Sequence, residues 1–245
     1  MNSKLKECDT TMEMTELIKS KTLDWGADIC GIADLRDVRE ELHSLYGDRF
    51  DGLDYAVSFG VYLPKRICDE VLEHPTHTYL AYYDIANALI NQIGLKVNNY
   101  FVKQGYEAYP VPASQRLGAK DNSIFSHRMA AQLAGIGWIG KSCNFVTEEV
   151  GPRLRLGTVL TDAPLVPDSP MEDRCGSCTL CTDACPAHAI LGKNFDPKDD
   201  LSERFDFKKC DAFLTETRQT FGKRICGRCV AVCRYGKSKE RGNKE

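Results

Sequence analysis

The chain has no run of apolar residues approaching the ~18 that a membrane helix needs, and its N-terminus, MNSKLKECDTTMEMTELIKSK, has no apolar h-region. No membrane span and no secretory leader are expected, and the protein is placed in the cytoplasm. An excess of positive charge is also missing. The formal net charge is −3, so no global basic field recruits nucleic acid. There are no internal repeats apart from two sets of cysteines. What the chain does have is 245 residues, 42% of them apolar. That is enough to bury a core in one large or two modest domains, and it excludes a disordered or fibrous protein.

Twelve cysteines stand out in a chain for which no secretory leader is expected. A disulfide scaffold belongs to short secreted domains. Five consecutive landmarks define the alternative: Cys175-Gly-Ser-Cys178-Thr-Leu-Cys181-Thr-Asp-Ala-Cys185-Pro186. The spacing matches the bacterial ferredoxin run C-x2-C-x2-C-x3-C-P, whose fourth cysteine normally ligates a different cluster. A second set must therefore exist, and Cys210 with Cys226-x2-Cys229-x3-Cys233 supplies it. The assignment that closes gives Cys175, Cys178, Cys181 and Cys233 to one [4Fe–4S] cluster and Cys185, Cys210, Cys226 and Cys229 to the other. Structural zinc is the competing reading, but it uses paired CxxC units without the extra x2-C. Cys8, Cys30, Cys68 and Cys143 remain, scattered singly as buried small hydrophobes usually are.

In chain order, Thr11 to Trp25 reads as an amphipathic helix with Met14, Leu17, Ile18 and Leu23 on one face, stopped by Gly26. Asp28 to Ala33 reads as a buried strand, Asp37 to Leu45 as a helix, and Asp54 to Leu63 as a strand ended by Pro64. The longest helix runs from about Thr78 to Gln104, its core stripe made of Tyr79, Tyr83, Ala86, Ile90, Ile93, Val97 and Phe101. Tyr106 to Val111 is a further strand. Pro112 to Phe125 lacks a period and suits a loop over a site, and His127 to Leu133 is a short helix. Asn144 to Glu148 and Arg153 to Thr161 are expected to form a hairpin around Val150-Gly-Pro152. A proline-rich linker, Asp162 to Pro170, then marks a division into residues 1–163 and 164–245.

Two clusters sharing interleaved cysteines make a short electron wire. About 160 residues precede it, so its redox partner is sought in or beside them. Ala134-Gly-Ile-Gly-Trp-Ile-Gly-Lys141 supports two readings. Gly135, Gly137 and Gly140 could admit a large flat ligand on which Trp138 stacks, or they could form a turn with Trp138 in the core. The run follows a helix, not a strand, so it is not a dinucleotide fingerprint.

Taken with the linker and the double cysteine set, His127 to Lys141 resembles the cobalamin-dependent epoxyqueuosine reductases, and more distantly the reductive dehalogenases. The resemblance covers roughly residues 20 to 235 and is sharpest over 121 to 186. It implies an α+β fold, with a flavin-reductase or nitroreductase-like cobalamin-binding domain over 1–163 and a ferredoxin-like 2[4Fe–4S] module over 164–245. By the same resemblance, Gly135, Gly137, Trp138, Gly140 and Lys141 would face the corrinoid, and His127 and Arg128 could touch its amide groups. The family places an Asp fourteen residues before the first glycine of the run, and here that is Asp121. A carboxyl kept protonated under a corrin roof could act as general acid, or Asp121 could simply cap a loop. The chain departs from the family at Asp121-Asn-Ser-Ile124 and at Cys233-Arg234, and it ends about a dozen residues past Cys233. With the net charge, these departures disfavour tRNA as substrate. Three functions follow: a corrinoid-dependent reductase, a corrinoid relay serving a partner protein, or a ferredoxin fused to a domain that has lost its cofactor. Retention of Asp121 and the GWIGK run argues against the third. A ferredoxin or flavodoxin would supply the electrons.

Overall fold

The computed structural model describes residues 2–115 and 123–237, with the backbone alone for residues 2–9. Helix α1 (Asn2–Asp24) leads to strand β1 (Ile29–Asp34), and helix α2 (Arg39–Tyr46) precedes strand β2 (Tyr55–Tyr62). After a short helix α3 (Lys65–Asp69) comes the long helix α4 (His77–Lys103), followed by strand β3 (Ala108–Val111) and helix α5 (His127–Leu133). Strands β4 (Trp138–Ile139), β5 (Phe145–Val146) and β6 (Leu154–Thr161) come next. The cysteine segment adds α6 (Leu180–Asp183), α7 (Phe207–Phe221) and α8 (Arg228–Ala231). The chain is α+β, as expected.

The main sheet has strand order β1-β2-β6-β3. Strands β1 and β2 pair antiparallel from Ile29↔Gly60 to Asp34↔Tyr55, and β3 pairs antiparallel with β6 from Ala108↔Thr161 to Val111↔Thr158. Strand β2 is buried on both faces along Ala56 to Val61, because it is central and both sides of the sheet are covered. Along α4 the expected stripe is the buried one. Ile90, Ile93, Val97 and Phe101 are at most 1% exposed, each contributing on the order of 1.5–3 kcal/mol by burial. A second nucleus joins Leu42, Phe50, Val111, Phe125, Ala130 and Leu160.

Helix α1 differs from its reading. Leu17 and Leu23 are exposed, and Thr15, Ile18 and Thr22 form the buried face. The threonine hydroxyls make this possible. Thr15 Oγ1 donates to Thr11 O at 2.8 Å and Thr22 Oγ1 to Ile18 O at 2.7 Å, which satisfies each hydroxyl within its own helix.

The expected hairpin is also corrected. Strand β5 pairs with β4, Trp138↔Val146 and Ile139↔Phe145, while β6 joins the main sheet. The tight turn is therefore at 140–144, where Gly140 N donates to Asn144 O at 2.9 Å and Cys143 N donates to Gly140 O at 2.8 Å. Around the Gly-Pro step, Thr147 and Gly151 exchange backbone hydrogen bonds at 3.0 Å and close a separate small loop. Helix α7 has no fully buried residue, and Cys210, Phe213, Leu214, Thr217 and Phe221 make its half-buried face. Its limits are set by chemistry at its ends. The Asp206 side chain accepts from Lys209 N at 3.1 Å, and Gly222 stops it in the left-handed region at φ +69°.

The chain folds into two compact units, and neither is a single stretch. One comprises Met1–Tyr62, Ile85–Ile136 and Arg155–Met171, and the other Leu63–Asp84, Gly137–Leu154 and Glu172–Glu245. The linker thus marks one crossing among several, where the sequence suggested one boundary at 163. Proline content exposes a linker, but it carries no trace of which earlier segments pack with the cysteine-bearing one.

Candidate metal centre

All eight cysteines of the two runs lie in the second unit, and none is in a disulfide. The segment around Cys185 folds first into a small apolar knot. Cys185, Ala189 and Ile190 are buried, with Cys181, Phe205, Cys210 and Cys229 packed against them. Helix α7 carries Cys210, and α8 begins just after Cys226. Residues distant in sequence are thereby gathered in one place.

The electrostatic neighbours of each thiol sort the cysteines into two sets. Cys181 is pushed up to about 11, first by burial and then by the nearby Cys175, Cys233 and Cys178 sulfurs. Cys233 is raised by burial and by Cys175 and Cys178. On the other side, Cys210 is pushed up to about 11 by burial and then by Cys185 and Cys226. Cys229 is pushed up to about 12 by burial, then by Cys226, Cys181 and Cys185. By these neighbours Cys233 lies beside Cys175, Cys178 and Cys181, and Cys185 lies beside Cys210 and Cys226. Cys181 and Cys229 adjoin, so the two sets are neighbours. Among the described residues, no three His, Cys, Asp or Glu side chains close on a single metal ion.

The sulfurs sit among N–H groups, as anionic sulfur requires. Asn144 Nδ2 donates to Cys229 Sγ at 3.2 Å, and Ala189 N to Cys185 Sγ at 3.3 Å. Backbone N–H groups also lower the Cys175 thiol from Lys141, the Cys226 thiol from Arg228 and Gly227, and the Cys233 thiol from Tyr235, in each case against the larger effect of burial. These donors, with four thiols in each set, fit two [4Fe–4S] clusters.

The Gly-rich run lies partly in this unit. Gly135 belongs to the first unit, whereas Gly137, Trp138, Gly140 and Lys141 belong to the second. The space a Cβ would need at each glycine is taken by the chain itself: Ser169 O at Gly135 (2.1 Å), Val146 O at Gly137 (2.2 Å), and at Gly140 the Val146 side chain (2.8 Å) and Cys175 Sγ (3.3 Å). Trp138 is fully buried, its ring edge-to-face with Tyr235 at 4.9 Å. Its Nε1–H meets no acceptor at full hydrogen-bond geometry. It falls short of a formed bond to the Cys175 sulfur, whose thiol pKa it nonetheless lowers. Lys141 Nζ donates to Cys178 O at 3.2 Å.

Two residues that the sequence did not single out serve this centre. Asn144 is one. The other is Arg153, which is 1% exposed. Its Nη1 donates to Tyr235 O at 2.8 Å and its Nη2 to Ala231 O at 2.6 Å, so the guanidinium grips the peptide on both sides of Cys233. Asp69 lies 3.5 Å from it as counter-charge. Arg153 could have been suspected only as an arginine alternating with leucines in a strand, where a charge has to be paired or exposed. Asn144 carried no signal.

Asp121 lies outside the described residues. In the first unit, the His127 ring is held by the protein itself: Nδ1 is 2.9 Å from Thr158 Oγ1 and Nε2 is 3.4 Å from Pro112 O. A carbonyl can only accept, so Nε2 carries the proton and Nδ1 accepts from the threonine hydroxyl. Burial pushes this imidazole down to about 4, with Arg155 adding to the effect. Arg128 is exposed on α5. Of the four remaining cysteines, Cys68 and Cys143 are buried and Cys30 is half-buried, while the Cys8 side chain lies outside the described residues.

The fold and the paired cysteine sets define a double-cluster iron–sulfur protein. Residues 174–236 match the family described as "4Fe-4S double cluster binding domain". The chain is similar in part to epoxyqueuosine reductases. It is 38% identical over 143 residues to the epoxyqueuosine reductase of Bacillus anthracis, a match covering 53% of this chain and 35% of that one. It thus spans about a third of the length of that curated relative. In three dimensions it resembles an epoxyqueuosine reductase solved with a tRNA-Tyr epoxyqueuosine-modified stem loop, with TM-score 0.63, 24% identity, and coverage of 93% of this chain and 66% of that one. It also resembles a reductive dehalogenase solved in connection with B12-dependent dehalogenation, with TM-score 0.71, 20% identity, and coverage of 91% and 32%. At these identities the structural likenesses establish the fold alone. Among the described residues, no helix is long and apolar enough to cross a membrane.

Proposed function

We propose that this chain is a corrinoid-binding iron–sulfur redox protein, in which two [4Fe–4S] clusters deliver electrons for a reductive reaction of the epoxyqueuosine reductase kind. The carrying observation is that eight cysteines gather in one unit with Cys233 beside Cys175 and Cys178 and Cys185 beside Cys210, which supports an exchange of these two ligands between clusters. The relatives and structural neighbours support the reductase and corrinoid parts of the reading, and a flavin-reductase or nitroreductase-like cobalamin-binding domain ahead of the clusters is part of the same proposal. When bound, a reduced corrinoid cobalt would supply a strong nucleophile. The chain's own part is to hold the clusters dry, to donate N–H groups to their sulfurs, and, at Asp121, to provide a proton to the substrate. For Trp138, Gly140 and Lys141 the geometry favours service to the cluster of Cys175 over contact with a corrinoid.

The experiment begins with iron and cobalt analysis and an anaerobic absorption spectrum of the reconstituted chain. About eight irons are expected, four per cluster. Zinc without iron would sink the reading. Cobalamin addition followed by turnover on an epoxyqueuosine-containing stem loop tests the reductase activity. Asp121→Asn should lower that turnover and spare cobalamin binding, and unchanged turnover would remove Asp121 as proton donor. A second reading, a corrinoid reductase or electron carrier serving a partner protein, is favoured by the net charge of −3, which offers no basic field to a tRNA. It predicts reducible cobalt with no activity on the stem loop.

A further inference from the structure

Lys141 is a buried charge to which the electron-transfer reading gives no use. The residue is 6% exposed. Its ammonium donates to one neutral acceptor, Cys178 O at 3.2 Å, and among the described residues no carboxylate stands within ion-pair distance of it. A buried ammonium with so little compensation is costly, and proteins keep one inside where an anion balances it. Some cations near the cysteines are paired with carboxylates, while the buried Arg204 rests instead on the Phe195 ring and Cys143 Sγ. Arg153 has Asp69 at 3.5 Å, and Arg224 pairs with Asp211.

The surroundings of Lys141 indicate which anion is missing. Its backbone N–H points at the Cys175 sulfur, and the preceding residue is a glycine whose bare Cα lets the chain pass close to that same Sγ. The ammonium itself is tied to the loop between Cys175 and Cys181 through the Cys178 carbonyl. Backbone, glycine and side chain of Gly140-Lys141 thus converge on one of the two cysteine sets.

We propose that the Lys141 ammonium is the counter-ion of the [4Fe–4S] cluster held by Cys175, Cys178, Cys181 and Cys233, and that it sets that cluster's reduction potential above the value it would have without the charge. The proposal rests on the cluster reading given under Proposed function. Reduction adds one negative charge to a cluster, and a fixed cation in a dry setting stabilises the reduced form more than the oxidised one.

The test uses the full chain, reconstituted anaerobically with iron and sulfide. Dithionite in the presence of mediators reduces the clusters by one electron each, and each is followed by electron paramagnetic resonance. In Lys141→Met, the reduced-to-oxidised ratio of one cluster at a fixed potential should fall tenfold or more, which is about 59 mV or more for a one-electron couple. The second cluster should not move, and Lys141→Arg should restore the first. An unchanged midpoint in Lys141→Met would overturn the proposal. If Lys141→Met loads only half the iron, Lys141→Arg decides: recovery of the iron supports a need for the charge, and equal loss overturns it in favour of shape. A wild-type chain that binds no iron would instead overturn the cluster reading itself.

Discussion

Asn144 donates its side-chain N–H to Cys229 Sγ at 3.2 Å, from a turn 85 residues earlier in the chain. A donor to a cluster sulfur stabilises the more negative, reduced state. Asn144→Ala is expected to retain the iron and to lower the potential of the Cys185, Cys210, Cys226 and Cys229 cluster. One such bond contributes ~1 kcal/mol, equivalent to about 40 mV for one electron. Redox titration followed by spectroscopy measures it, and a shift confined to the other cluster would refute the placement.

The exchange of cysteines predicts a crossed pattern of damage. Cys233→Ser should perturb the cluster of the first run, Cys175 to Cys181, although Cys233 sits in the second run. Cys185→Ser should perturb the cluster of Cys210, Cys226 and Cys229. The resonance signals of the two clusters report which one changes in each variant. Damage following sequence order would contradict the sorting by neighbouring sulfurs.

Removal of Arg153 leaves the Ala231 and Tyr235 carbonyls without their donor inside the protein, while Asp69 keeps its ion pair with Lys65. Hydrogen bonds to a charged group contribute about 1.5–3 kcal/mol each. Arg153→Ala should lower the melting temperature and release the cluster that Cys233 helps to hold. Arg153→Lys, which cannot grip both carbonyls in a fork, should fall between. Calorimetry with iron analysis checks both effects, and a melting temperature within about a degree of wild type would refute the clamp, given the several degrees expected for a loss of this size.

His127 predicts an acid-side loss of stability. Its ordinary value is 6.5 and burial holds it near 4 in the folded protein. The unfolded chain therefore binds the extra proton between these values. The contribution is fully present above about pH 6.5 and is lost as pH falls toward 4, amounting to about 3 kcal/mol at most. His127→Gln should flatten the urea midpoint over that window. A wild-type midpoint that does not change between about pH 7 and pH 5 would refute it.

Much of the fold was legible because its signals are local. The α4 stripe, the β-formers of β2 and the cysteine spacings each declare themselves within a short window. Pairing partners did not. Strand β5 pairs with a two-residue strand across the Gly140–Asn144 turn, and no period can be read from two residues. At α1, counting leucines failed because threonines satisfied within the helix took the buried face. In the candidate site the ligands were readable and their attendants were not. Asn144 and Arg153 act through contacts spanning about 80 residues, and spacing rules do not reach that far.

The second unit is assembled from three separated pieces of chain. Its cysteine-bearing portion is therefore not a cassette that could be excised and grafted elsewhere as a small free-standing carrier. Cut away from Leu63–Asp84 and Gly137–Leu154, it would lose the grip of Arg153 on Ala231 and Tyr235 and the Asn144 donor to Cys229. Shortening the protein to its recognisable motif would give a weaker and less stable object than the motif suggests. Anyone engineering this wire has to carry along the two earlier segments that hold it in shape.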